Sequence, residues 1–187
     1  MYQIKDLALN SGRAVYSTQQ LSNLIGKSKA ISTVYLSRLV KNELAIKLKK
    51  GTISFTYDYF VIASQLLEPS YISLDSALLF HGIIKQIPKT IECVTTKNSI
   101  KYKNIGVTYH KIPNNMFFGY TRHIKSNSYI FIADPEKAVI DGIYLGIYNA
   151  ERLIDILPKL NKLKLAKILP YLNGYGSKKI RSIINDK

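Results

Sequence analysis

Thr33, Ser37, Arg38 and Lys41 stand at intervals of four, one and three residues between Lys29 and Lys41. At about 100° per residue they gather with Val34 on one side of a helix, opposite Ile31, Tyr35, Leu36 and Leu39. Burying the apolar set against Leu21, Leu24 and Ile25 leaves the polar set in solvent. An arginine bonds a guanine edge through two N–H groups, hydroxyls reach bases or phosphates, and a lysine reaches phosphate. Such a face suits the major groove of duplex DNA. Lys27, Ser28 and Lys29 stand just before this helix, where free backbone N–H groups and positive charge favour a phosphate.

A second basic set follows where the period changes from that of a helix to that of a strand. Ile46 and Leu48 are expected on one face, with Lys47 and Lys49 on the other. Lys50-Gly51 turns the chain, and Ile53 and Phe55 return on the apolar side. Lys47, Lys49 and Lys50 on such a hairpin would lie along a phosphate backbone or in a minor groove. Lysines on a solvent-facing strand also protect a sheet edge. A third set, Lys178, Lys179 and Arg181, lies close to Lys162, Lys164 and Lys167 and is the candidate for a second nucleic-acid contact.

Catalytic signals are weaker. His81, His110 and His123 are scattered without metal-ligand spacing, and Cys93 is the single cysteine, so no metal or cofactor is expected. Asp134, Glu136 and Asp141 form the one acidic cluster. Asp134-Pro135-Glu136 is also a helix start, with Asp as N-cap, Pro at the first position and Glu against the dipole. That assignment accounts for the cluster without turnover, so the chain reads as a non-enzyme. The tyrosines, among them Tyr109, Tyr129, Tyr144 and Tyr148, sit mainly at apolar positions and read as packing residues.

The elements that must position these residues can be read from periodicity and caps. Helices are expected at Ile4–Leu9, at Gln19–Ile25 behind a Ser17 or Thr18 cap and ended by Gly26, and at Ala30–Lys41. The hairpin comes next, then a helix near Asp58–Leu67. Helix, helix, turn, helix, hairpin is the order of a winged helix-turn-helix, assigned to residues 1–68. Residues 69–187 read as a mixed α/β domain ending in helices. Its helices are expected at Leu74–Ile84, from Asp134 to about Ile147, and near 150–157, 162–172 and 177–185. Its strands are expected at Ile91–Thr96, Val107–Ile112 and Tyr129–Ala133. The fold class is α+β.

Charge agrees with a polyanionic partner: 27 basic residues stand against 12 acidic, a formal net charge of +15. The excess sits at the ends. Residues 1–68 carry +5 and 159–187 carry +7, while the longer middle carries +3. No run reaches the roughly 18 apolar residues that span a bilayer, and Met1–Asn10 lacks an apolar signal region, so no membrane is expected and the location reads as cytoplasmic.

Several stretches resemble the AbiEi family of antitoxins from abortive-infection toxin–antitoxin operons. They are Tyr71 to Leu78 running on to His81-Gly82-Ile83, Val94 to Lys97, Tyr109 to Pro113, Phe118-Gly119-Tyr120, and Ile132 to Ala138 ending at Asp141. Their order and spacing follow the family pattern over about 70–145. Leu39 to Leu44 is similar to the approach to the wing in that family's N-terminal winged helix, although Glu43 stands where many winged helices have glycine. The resemblance implies a repressor of its own operon that antagonises a nucleotidyltransferase-like toxin encoded nearby, and leaves direct contact with the toxin open. Operator DNA is the expected partner, bound as a homodimer or a cooperative assembly. The alternative is a stand-alone winged-helix transcription factor whose second domain senses a ligand or dimerises. A third reading is an enzyme acting through Asp134, Glu136 and Asp141.

Overall fold

The computed structural model describes residues 1–172, and they fold as an α+β protein. The chain divides into two compact units: Met1–Glu68 with Arg122–Ile130, and Pro69–Thr121 with the chain from Phe131 onward. The expected helix at 177–185 lies outside the described residues.

The first unit runs α1 (Tyr2–Asn10), β1 (Val15–Ser17), α2 (Thr18–Ile25), α3 (Lys29–Lys41), β2 (Ile46–Lys49), β3 (Thr52–Ser54) and α4 (Tyr59–Leu66). Local chemistry sets the helix ends. The Ser17 hydroxyl accepts from the Gln20 N–H at 3.2 Å while the Gln20 side chain accepts from the Ser17 N–H at 2.8 Å, a reciprocal cap on α2. Gly26 ends that helix at φ +63°, the left-handed conformation that a glycine adopts at little cost. Ser28 caps α3 and Asp58 caps α4. The strands form an antiparallel sheet in the order β1-β3-β2. The core between sheet and helices is built from Ala8, Tyr16, Leu21, Leu36, Leu39, Ala45 and Ile53.

Two expected faces differ from the structure. In β2–β3 the register sets Lys47 opposite Ile53 and Ile46 opposite Ser54. Residues directly opposite share a face, so Lys47 lies on the side where Ile53 enters the core, not on the reverse side. A bulge between Lys47 and Lys49 inserts Leu48, which is buried. The simple alternation fails because one inserted residue shifts the parity of the strand. In α3 the buried seam is Ser32, Leu36 and Leu39, and Ile31, expected inside, is 45% exposed. Ser32 donates its hydroxyl to the Ser28 carbonyl at 3.0 Å, which satisfies it inside the seam, and the seam through Ser32 leaves adjacent Ile31 outside it.

Glu43 follows α3 at φ +56°. A side chain pays roughly 1–2 kcal/mol for that conformation, and glycine avoids the penalty. Glu43→Gly is therefore expected to raise stability by about 1 kcal/mol, read as a higher urea midpoint at unchanged slope. A lower midpoint would mean that the Glu43 side chain holds the turn itself.

Beyond Glu68 the chain forms β4 (Ser70–Ile72), α5 (Leu74–Phe80), β5 (Ile91–Thr95), β6 (Ile100–Tyr102), β7 (Val107–Lys111), β8 (Tyr120–Lys125), β9 (Ser128–Ala133), α6 (Pro135–Tyr144), α7 (Ala150–Ile156) and α8 (Lys162–Ile168). The strands form one mixed sheet in the order β6-β7-β5-β4-β9-β8. β4 runs antiparallel to β5 and parallel to β9, and β5 runs parallel to β7. α5 packs on α6, and α6 on α8. Helix α5 stops short of the expected Ile84, and Gly82 beyond it takes φ +70°. Helix α6 likewise stops short of Ile147, with Gly146 at φ +68°. Gly142 admits the Tyr148 ring against α6: a β-carbon there would stand 2.3 Å from it.

The tip of β8–β9, residues 122–130, belongs to the first unit, which the contiguous 1–68 boundary misses. Ser126 and Asn127 make its two-residue turn, both at positive φ. Long-range hydrogen bonds explain the membership. Buried Gln65 accepts from the N–H groups of Ala14 and Val15 at 2.9 and 3.1 Å. It donates to the Ser128 hydroxyl at 2.9 Å and the Tyr129 carbonyl at 2.8 Å. Arg13 pairs with both oxygens of Glu68 and donates to the Tyr129 hydroxyl at 2.7 Å. Asp58 receives the Ser126 hydroxyl at 2.7 Å with Lys125 at 3.4 Å. Burial works against the Asp58 charge, but that hydroxyl, Lys125 and the N–H groups of Phe60 and Val61 together hold its carboxyl below the usual range.

Candidate nucleic-acid interface

Helix α3 and the β2–β3 hairpin enclose a groove of about 430 Å³ lined by Thr33, Ser37, Val40, Lys41, Lys47, Lys49 and Lys50, with Leu36 and Ile53 beneath. The geometry follows from the register. Lys47 shares a face with Ile53, and both line the groove beside α3, Lys47 exposed and Ile53 buried. The turn of the hairpin is fixed as well. The Gly51 carbonyl accepts from both the N–H and the hydroxyl of Thr18, at 2.9 and 3.2 Å. Gly51 takes φ +69°, and a β-carbon there would crowd the Thr18 hydroxyl at 3.1 Å. Lys50 is thus presented from a turn pinned to the start of α2.

Six of the residues singled out in the sequence therefore line one groove: Thr33, Ser37, Lys41, Lys47, Lys49 and Lys50. Arg38 is exposed on α3 outside that lining. Arg38 and Lys41 occupy the last turn of α3, where cations also complement the helix dipole. Lys27, Ser28 and Lys29 are exposed before and at the start of α3. The Ser28 hydroxyl accepts from the Ile31 N–H at 3.4 Å, so one of the N–H groups expected for a phosphate is already engaged. Lys27 lines a separate apolar hollow of about 410 Å³ with Met1, Ile4, Leu7, Leu24 and Tyr35. Lys178, Lys179 and Arg181 lie outside the described residues.

On α3 the Thr33 hydroxyl donates to the Lys29 carbonyl at 2.9 Å and the Ser37 hydroxyl to the Thr33 carbonyl at 3.2 Å. Both residues are exposed, and in that rotamer each hydroxyl offers its lone pairs to a ligand.

Of the three carboxylates of the enzyme reading, those of Glu136 and Asp141 are engaged in the fold. Asp134 holds the N-cap position of α6 without a side-chain bond to it, contrary to the expected cap, and its N–H donates to the Gly119 carbonyl at 2.9 Å. Buried Glu136 accepts from the Asn161 N–H at 2.8 Å. Asp141 is fully buried and pairs with Lys137 one helical turn away, also receiving the Ser73 hydroxyl at 2.7 Å and the Tyr71 hydroxyl at 3.1 Å. Burial pushes the Asp141 carboxyl up and the Lys137 ammonium down, each resisted by the attraction of the other. His81 lies 2.9 Å from the Ala133 carbonyl, and Cys93 is buried with its thiol pushed up by burial. Sequence reasoning missed the Tyr71–Ser73–Lys137–Asp141 cluster. The signal available was a Lys and an Asp four apart in α6 with only the apolar Ala138, Val139 and Ile140 between them.

Among the described residues no group of His, Cys, Asp or Glu is arranged to hold a metal ion, and no helix is long and apolar enough to cross a membrane. No protein-family model matches the sequence, and no curated protein matches it.

Proposed function

We propose that this chain is a winged-helix DNA-binding repressor, with α2–α3 as the helix-turn-helix and β2–β3 as the wing. The observation that carries the reading is the groove between α3 and the hairpin, with four lysines on its lining. Apolar walls beneath a cationic rim suit a sugar–phosphate strand: the deoxyribose packs while the phosphates meet ammonium groups. Helix α3 then enters the major groove, and Arg38 reaches a guanine edge.

The two elements are expected to separate in binding assays on duplex DNA from the chain's own promoter. Arg38→Ala should cost about 1–3 kcal/mol on the operator and narrow the gap to random DNA. Lys47→Ala should weaken operator and random DNA about equally. If both variants behave alike in fluorescence-anisotropy titrations, α3 is not the reading helix.

The fuller reading is an autorepressor and antitoxin that acts in the cytoplasm without turnover and antagonises a nucleotidyltransferase-like toxin. It rests on the resemblance of the ordered stretches between Tyr71 and Asp141 to AbiEi antitoxins. Co-expression with the adjacent gene product tests it. The chain should restore growth that the neighbour alone arrests, and continued arrest at matched protein levels would reject the antitoxin role while leaving DNA binding standing.

A further inference from the structure

The exposed arc of α3 is centred on Val34, which is 49% exposed. Its neighbours three and four residues away are Ala30, Ile31, Ser37 and Arg38. Ala30 is exposed and Ile31 is 45% exposed, so the first two turns present a continuous hydrocarbon surface to solvent. The two hydroxyls beside it donate to their own helix, at Lys29 and Thr33. On this face Arg38 and Lys41 alone supply strong donors, and both sit in the last turn. Cationic residues flank the apolar patch at both ends, with Lys27 and Lys29 before it and the groove lysines beside it. Charge complementarity therefore points the patch at a polyanion.

In a major groove the one apolar feature that distinguishes a base is the C5 methyl of thymine. Resting on the DNA-binding reading above, we infer that Val34, with Ala30 and Ile31, reads thymine methyl groups, and that Arg38 reads a guanine beside them. The N-terminal part of a recognition helix is the part that meets base edges in helix-turn-helix docking, and that is where these three residues lie. A hydrogen-bonding amide at Val34 would select adenine; valine in its place favours a methyl and leaves no buried donor unmatched. The target class is duplex DNA whose half-sites carry thymine next to guanine.

Deoxyuridine replaces thymidine with loss of the methyl alone, which makes a direct test. Full-length protein is used to select sites from a random duplex pool, and the enriched duplex is resynthesised with deoxyuridine at one thymine at a time. At the contacted positions affinity should fall about threefold to fivefold for each methyl removed. The dT:dU affinity ratio should collapse towards one at the thymine that Val34 contacts in Val34→Ser and at the thymine that Ile31 contacts in Ile31→Ser, two variants checked for an unchanged melting temperature. Equal binding of dT and dU duplexes, or discrimination that survives both substitutions, would overturn the inference. A salt-dependent but methyl-blind protein would retain the DNA-binding reading and lose only this one. A protein that binds no duplex at any salt concentration would lose both.

Discussion

Asp141→Ala is expected to lower the stability of the second unit by about 3–5 kcal/mol, a large part of the margin by which most domains stay folded. Asp141 is fully buried, and its partner Lys137 is 1% exposed. Lys137 extends beneath Gly119, and its ammonium lies over the rings of Phe118 and Tyr71, at 5.1 and 5.5 Å from their centres. Those rings offer far less than a carboxylate does. Removing Asp141 strands a cation in the core and leaves the hydroxyls of Ser73 and Tyr71 without their acceptor. The double change Asp141→Leu with Lys137→Met should recover the part of the loss that comes from the stranded cation, because a buried pair replaced by apolar groups of similar volume is often neutral or better, while the hydroxyls of Ser73 and Tyr71 still lack their acceptor. Urea unfolding of the three proteins measures this. If the single variant stays within about 1 kcal/mol of the parent, the pair is better hydrated than its burial indicates.

DNA binding is expected to be steeply dependent on salt. If Lys41, Lys47, Lys49 and Lys50 each neutralise one phosphate, log K falls with log salt at a slope of about −3.6 from these residues alone. Lys47→Ala with Lys50→Ala should reduce that slope by about 1.8. The expected loss in affinity at low salt exceeds that of any single base contact, since every phosphate contact acts at specific and random sites alike. A slope near zero on promoter DNA would count decisively against the groove as a phosphate track. Full-length protein is the right material. A fragment ending at Glu68 would strip Gln65 and Arg13 of their partners Ser128 and Tyr129.

Most helix starts among the described residues are set locally and were legible in the sequence, whereas α5 and α6 end earlier than expected. The Ser17–Gln20 cap, the Gly26 stop, the Ser28 and Asp58 caps and the period of Leu36 and Leu39 all act within about one helical turn. The lysines of the groove could be named for the same reason, since their types and spacing do not depend on distant residues. Strands of three residues, such as β1, β4 and β6, are too short to show a period and become strands only through their neighbours. The bulge at Leu48 and the side on which Lys47 emerges depend on pairing with β3, and the exposure of Ile31 depends on Ser32 packing into the seam. The attachment of residues 122–130 to the first unit depends on Gln65, more than fifty residues earlier. The carboxylate of Asp141 reads in the sequence as part of an acidic cluster, and its burial against Lys137, Ser73 and Tyr71 makes it a core ion pair. Hydrogen bonds and desolvation across long loops decide these points, and they depend on which groups the folded chain brings within about 3 Å of each other, which spacing along a sequence does not encode.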